Sequence, residues 1–249
     1  MTIDTIDRVA ASGLDISVNN AHYNADTIEH GRLARTFFKS LAENVFELSH
    51  RFWQAYHEFA GLREMPLLYS ERNLYSIFAS AINSITPIHL SEWSFPAPDG
   101  ADRDRRVVDF WAMHRPTQRR KALNYFIELK KTWYCVSNGT DEDLAGNAKA
   151  VIDDAMNQIA VLKQIQPNWS GDGDVFMAVA VIHGYHSTRR SVAYNSDHLV
   201  DSLYGMLDKR LGAQLIVSTW TLPDDMEIQW ESHRCTFVSI AGIVLTKKR

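Results

Sequence analysis

The sequence predicts an α/β fold in which helices flank a mixed central sheet, and three observations carry that expectation. Apolar residues recur at three- and four-residue steps over 31–61 and again after Ser70. Three segments rich in Val, Ile and aromatic residues follow, separated by turn-forming stretches. An amphipathic helical pattern then leads into DVFMAVAVIHGY, whose near-continuous hydrophobicity suits a strand buried on both faces.

The chain has 249 residues, 45% hydrophobic and 22% charged, enough to bury one large core. No stretch reaches the ~18 apolar residues of a membrane helix, and MTIDTIDRVAASGLD carries acids where a secretory leader would be basic and apolar. A cytoplasmic protein with no membrane partner is expected. Cys135 and Cys235 lack CxxC spacing and read as buried thiols rather than a disulfide framework. The net charge of -4 excludes a histone-like basic coat, although 101–131 holds nine basic residues against four acids.

Residues 1–30 are polar and aperiodic. Leu33, Phe37, Leu41, Phe46, Leu48, Phe52 and Tyr56 predict one long helix or two short ones, stopped at Gly61. Residues 1–65 are therefore expected to form an N-terminal arm and helical extension, and 66–249 the α/β domain. Ser70 is suited to N-cap a helix that ends before Pro87. ITPIHLSEWSF, RRVVDFWAMHR and NYFIELKKTWYCV predict three strands joined by two hairpins, with PAPDGAD and RPTQRR as the turns. DEDLAGNAKAVIDDAMNQIAVLKQIQ predicts a helix with acids in its first turn, PNWSGDGD a break, and DVFMAVAVIHGY the buried strand. A short helix near 197–210 and strands at GAQLIVSTW and CTFVSIAGIVLTKK complete the series.

Charges inside apolar strands need a partner or a purpose, and Asp109, Glu128 and Lys130 are such charges. Alternation groups Val107, Asp109 and Trp111 on one face, and Phe126, Glu128, Lys130 and Thr132 on one face of the next strand. A hairpin centred on Gln118 and Arg119 sets Asp109 opposite Glu128, with side chains starting roughly 5 Å apart. Facing carboxylates destabilise a sheet unless a cation or a shared proton lies between them. Glu71, three residues before Leu74 and seven before Phe78, is expected on the helix face turned to the sheet. Three carboxylates and a lysine make an oxygen-rich site suited to Mg²⁺ or Mn²⁺ rather than zinc.

The element order helix, three strands, helix, strand, with Asp109, Glu128-Leu129-Lys130 and Glu71, resembles the PD-(D/E)XK superfamily, the restriction-endonuclease-like nucleases. The resemblance covers about Ser70 to Tyr185. Val108-Asp109 stands at the family's Pro-Asp, Glu128-Leu129-Lys130 matches its (D/E)-X-K element, and Glu71 matches a glutamate that many members carry on the preceding helix. It implies a restriction-endonuclease-like core and a metal-dependent nuclease that hydrolyses phosphodiester bonds, with DNA the expected polymer. Asp109, Glu128, the Leu129 backbone carbonyl and Glu71 would hold Mg²⁺ or Mn²⁺, and Lys130 would orient the attacking water. It also implies a setting in restriction, repair or defence, and a homodimer.

Arg115, Arg119, Arg120 and Lys121 at the hairpin tip, and Lys149 on the next helix, are candidates for binding the nucleic-acid backbone. Gln158 is a candidate accessory residue, and Trp111 or Trp133 is placed to pack near a base or in the core. The same residues admit a structural reading. Glu128 and Lys130 can form an internal ion pair, Glu71 can serve its helix dipole, and Asp109 can pair with Arg105 or Arg106, leaving a non-catalytic module that binds nucleic acid or protein. His183, His186, His233 and Cys235 have unconvincing zinc spacing, and GDGD reads as a turn. No P-loop, dinucleotide glycine motif or G-x-S-x-G elbow occurs.

Overall fold

A computed structural model describes residues 10–11, 14–15, 18–23, 29–95, 106–117, 119–120, 122–135, 148–165, 171–187, 196–207, 213–226, 228–230 and 233–245. In chain order the elements are β1 (Ala10–Ala11), β2 (Leu14–Asp15), β3 (Val18–Tyr23), α1 (Gly31–Ala60), a 3-10 turn (Pro66–Leu68), α2 (Glu71–Ile85), β4 (His89–Phe95), β5 (Arg106–His114) and β6 (Leu123–Cys135). There follow α3 (Lys149–Ile165), β7 (Asp174–Ser187), α4 (Ser196–Leu207), β8 (Ala213–Thr221), β9 (Ile228–Trp230) and β10 (His233–Leu245).

The main sheet runs β3-β8-β10-β7-β6-β5-β4, with β9 paired to β10. Only β6 and β7 are parallel among these pairs, because α3 carries the chain back between them; every other neighbouring pair is antiparallel. This is the expected mixed sheet. On β7 alternate residues serve two cores: Met177, Val179 and Val181 face α1 and α2, whereas Phe176, Ala178, Ala180 and Ile182 face α3 and α4. The result is three layers, helix pair, sheet and helix pair.

The period of α1 puts Phe37, Phe38, Leu41, Val45 and Phe46 on its buried side, where Phe37 stacks on Tyr125 of β6 at 3.9 Å between ring centroids. Gly61, at φ 67, ends the helix in the left-handed conformation. Close approach of α1 to the sheet requires Gly242, since a Cβ there would collide with the Phe38 ring. Val18 of β3 and the buried face of α1 share one cluster with Phe110, Ile127 and Val179. Polar VNNAHY gives β3 no strand signal, and pairing with β8 recruits it to the sheet edge.

One helix start differs from expectation. Ser70 occupies the N-cap position of α2, but its hydroxyl donates to Asn73 Oδ1 at 3.1 Å instead of capping a backbone N–H. Helix α3 is described from Lys149, and the acidic 141–143 expected in its first turn lie outside the described residues. GDGD is the expected turn. Asp172 clasps Ala122 through two 2.7 Å hydrogen bonds, and Asn124 Nδ2 donates to Asp174 at 3.0 Å, which sets the β6–β7 register. Cys235 is a buried free thiol, while the side chain of Cys135 lies outside the described residues. Among the described residues no helix is long and apolar enough to cross a membrane.

Candidate functional site

The β5–β6 register pairs Phe110 with Ile127 and continues to His114 with Leu123, the expected hairpin centring. It stops one position short of Asp109 and Glu128. On the other side, β4 pairs Ser91 with Phe110 and Trp93 with Val108, passing over Glu92 and Asp109, and Glu92 has φ 51. Strict alternation breaks here. Val108 joins Trp111 in the α3-side core while Phe110 lies in the α2-side core, so the expected grouping of Val107, Asp109 and Trp111 on one face does not hold. Asp109 instead points where both ladders open.

Its carboxylate is tightly held. Oδ2 accepts the Leu129 backbone N–H at 2.6 Å, and Oδ1 accepts the Tyr75 hydroxyl from α2. Burial raises the Asp109 pKa against the opposing pull of these two hydrogen bonds. The side chains of Arg105 and Arg106, the alternative partners, lie outside the described residues.

Glu128 is almost wholly buried, and Lys130 Nζ lies 3.2 Å from its Oε1. Its Oε2 has no hydrogen-bond partner among the described residues. Burial, with Asp109 adding repulsion, pushes the Glu128 carboxyl up to about 7. Lys130 also lies 3.8 Å from Glu71 in the first turn of α2 and 3.9 Å from Asp154 on α3. Burial alone would lower its pKa, but Glu128 and then Glu71 outweigh burial and raise it, so the ammonium persists. Glu71 is raised as well, by burial first.

Asp109, Glu128, Lys130 and Glu71 are thus brought into one electrostatic cluster, as their sequence positions suggest. Two further members carry no sequence signal of their own. Tyr75 lies one helical turn after Glu71, a spacing that places both on one face, and Asp154 sits among the polar positions of α3. Gln158 Nε2, on the accessory candidate, donates to Asp154 at 2.7 Å. Lys149, one turn before Asp153, pairs with it at 3.0 Å on α3.

The basic tip is not part of the cluster. Arg115, Arg119 and Arg120 are exposed beyond the far end of β5, and six strand residues put Arg115 roughly 20 Å from Asp109. The placement of Lys121 lies outside the described residues. Trp111 is core, edge-on to Trp93 at 5.1 Å, whereas Trp133 is exposed.

Among the described residues no three His, Cys, Asp or Glu side chains stand close enough together to hold a metal ion as positioned. The donor chemistry nevertheless suits a hard divalent cation. Four carboxyls surround one ammonium, three of them have raised pKa values, and Glu128 Oε2 is a buried oxygen without a partner among the described residues. Compared with protein-family models, curated proteins and solved structures, the chain has no match.

Proposed function

We infer that this chain is a metal-dependent phosphodiesterase acting on nucleic acid, with a restriction-endonuclease-like core running from α2 to β7. The observation that carries the reading is Lys130, held 3.2 Å from Glu128 and 3.8 Å from Glu71, beside an Asp109 at which two strand ladders open. The order α2, β4, β5, β6, α3, β7 and the single parallel pair support it.

Asp109, Glu128, the Leu129 carbonyl and Glu71 would hold Mg²⁺ or Mn²⁺, which when bound supplies charge neutralisation at the phosphate and a more acidic water. Tyr75 and the Leu129 N–H fix the Asp109 carboxylate, so its orientation is set before substrate arrives. Lys130 remains an ammonium, which can donate to a phosphate oxygen and hold the attacking water in line. Asp154 lies 3.9 Å from the same ammonium, on the α3 side.

Cleavage of labelled single- and double-stranded DNA and RNA with Mg²⁺ or Mn²⁺ tests this reading. Wild type is expected to cut at least one substrate, and Asp109→Ala and Lys130→Ala to abolish cutting. A second reading, a binding module without catalysis, is favoured by the absence of a converged ligand trio among the described residues and by the Lys130–Glu128 pair. It predicts no cutting and no metal-induced rise in melting temperature, because only binding to the native state stabilises.

A further inference from the structure

Lys130 stands where the carboxyl cluster needs a cation. It shares the α3-side face of β6 with Glu128, since Phe126 and Tyr134 lie in the α3-side core and Ile127 and Leu129 in the opposite one. β5 pairs with β6 only as far as Ile127, and beyond that residue Glu71 reaches the strand from α2, accepting the Lys131 backbone N–H. The ammonium is thereby met by carboxylates from three elements: Glu128 of β6 at 3.2 Å, Glu71 of α2 at 3.8 Å and Asp154 of α3 at 3.9 Å.

Two of the carboxylates are fixed by the backbone. Asp109 accepts the Leu129 N–H and Glu71 the Lys131 N–H, alternate residues along one strand edge. Glu128 is held differently: Lys130 lies against Oε1, while the buried Oε2 has no hydrogen-bond partner among the described residues. Such an oxygen costs free energy unless something satisfies it in use. Carboxylate oxygens sit about 2.8 Å from an ammonium but about 2.1 Å from Mg²⁺. A cluster arranged around Lys130 is therefore too wide for a divalent ion, in keeping with the lack, among the described residues, of three acid, His or Cys side chains close enough to hold one as positioned. Both cations call on the same oxygens, and at this range two positive charges repel strongly.

We propose that Lys130 is the resident counter-cation of this cluster and exchanges with Mg²⁺ or Mn²⁺, so that its ammonium lets go of Glu128 and Glu71, and can meet a phosphate, only when the ion binds. The inference rests on the metal-dependent reading and adds a regulation to it, a lysine unmasked by metal. Lys130 has somewhere to go: its stem is flexible, and Asp154, with a side chain 57% exposed, lies on the solvent side of a Glu128 that is 3% exposed. Loss of Lys130 should therefore strengthen metal binding even as it abolishes cutting.

Calorimetric titration of Mn²⁺ into wild type, Lys130→Met and Glu128→Gln, without nucleic acid, reads the exchange. Lys130→Met is expected to bind Mn²⁺ about 10-fold or more tightly than wild type, because a like charge and a competitor are both gone. Glu128→Gln is expected to bind more weakly, which places the ion at the cluster. Equal or weaker binding by Lys130→Met, or unchanged binding by Glu128→Gln, overturns the proposal.

Should Lys130→Met not fold, acetylation of wild-type lysines by an N-hydroxysuccinimide ester, followed residue by residue in EDTA and in Mn²⁺, decides between the outcomes. Lys130 is expected to react several-fold faster in Mn²⁺, while Lys149, paired with Asp153, keeps its rate. Equal rates at Lys130, or protection of it by Mn²⁺, overturn the exchange. Tighter Mn²⁺ binding by Lys130→Met without cutting of any substrate by wild type keeps the exchange and removes the phosphodiesterase reading. Metal-dependent cutting by wild type, with Lys130→Met binding Mn²⁺ no more tightly, does the reverse.

Discussion

Asp109 accepts the backbone N–H of Leu129 at 2.6 Å, so a side chain takes a position that a neighbouring strand's carbonyl would fill in an unbroken ladder. The same carboxylate receives the Tyr75 hydroxyl, which ties α2 to the point where β5 and β6 part. One residue therefore both opens the sheet and closes the hydrogen bonds that the opening exposes.

Asp109→Ala should lower stability by about 1–3 kcal/mol, because a buried backbone N–H and a half-buried phenol both lose their acceptor. Asp109→Asn keeps an acceptor and should recover most of the loss. Urea unfolding of the three proteins at one pH measures this, and equal midpoints would sink the structural role.

Glu128 gives a pH dependence whose sign is set by its raised folded-state pKa of about 7, against an ordinary value of 4.5. Its neutral form is favoured in the fold, so its contribution is fully present below about pH 4.5 and is lost as pH rises through 7. Glu128→Gln cannot ionise and should become progressively more stable relative to wild type across that window, by at most about 1.4 kcal/mol per pH unit. Chemical denaturation in EDTA at pH 4.5 and pH 8 is the check; a difference between the proteins that stays constant with pH would contradict it.

The register of β5 on β6 was legible because the RPTQRR turn and the flanking apolar residues leave one pairing that buries both strands. Glu71 was legible from helix period alone. Tyr75 and Asp154 were not, since their roles depend on how α2 and α3 pack across the sheet, which no local pattern encodes. β3 escaped notice because only Val18 and Tyr23, its two ends, are buried, leaving no alternation to read. The break at Asp109 was likewise invisible, because alternation assumes a regular pleat.

His183 carries the opposite pH signature. It is fully buried, its Nδ1 lies 3.2 Å from the Thr132 carbonyl, and burial, reinforced by Lys131, lowers its pKa to about 3. Below its ordinary value of 6.5 the unfolded chain takes up a proton that the native state refuses, so stability falls as pH drops from 6.5 toward 3. His183→Gln removes this titration and should flatten the loss between pH 7 and pH 4.5. Urea midpoints of both proteins at the two pH values decide it, and parallel declines would assign the acid sensitivity to other groups.

Gly184 and Phe237 supply the sharpest packing test. The β10 register shifts between Cys235 and Phe237 where it pairs with β7, and the Phe237 ring then lies across Gly184, where an added Cβ would overlap the ring carbons. The ring is fully buried and cannot yield without leaving the α3-side core. Gly184→Ala should therefore cost at least about 1–3 kcal/mol through overpacking, although alanine suits a strand better than glycine does. Phe237→Ala alone should cost about 3–5 kcal/mol by leaving a cavity. In that background the added methyl has room, so Gly184→Ala should become nearly neutral, and a double-mutant cycle should return a coupling as large as the overpacking cost. Additive losses would show that the bulge can relax around the methyl, and that Gly184 is there for some reason other than the ring above it.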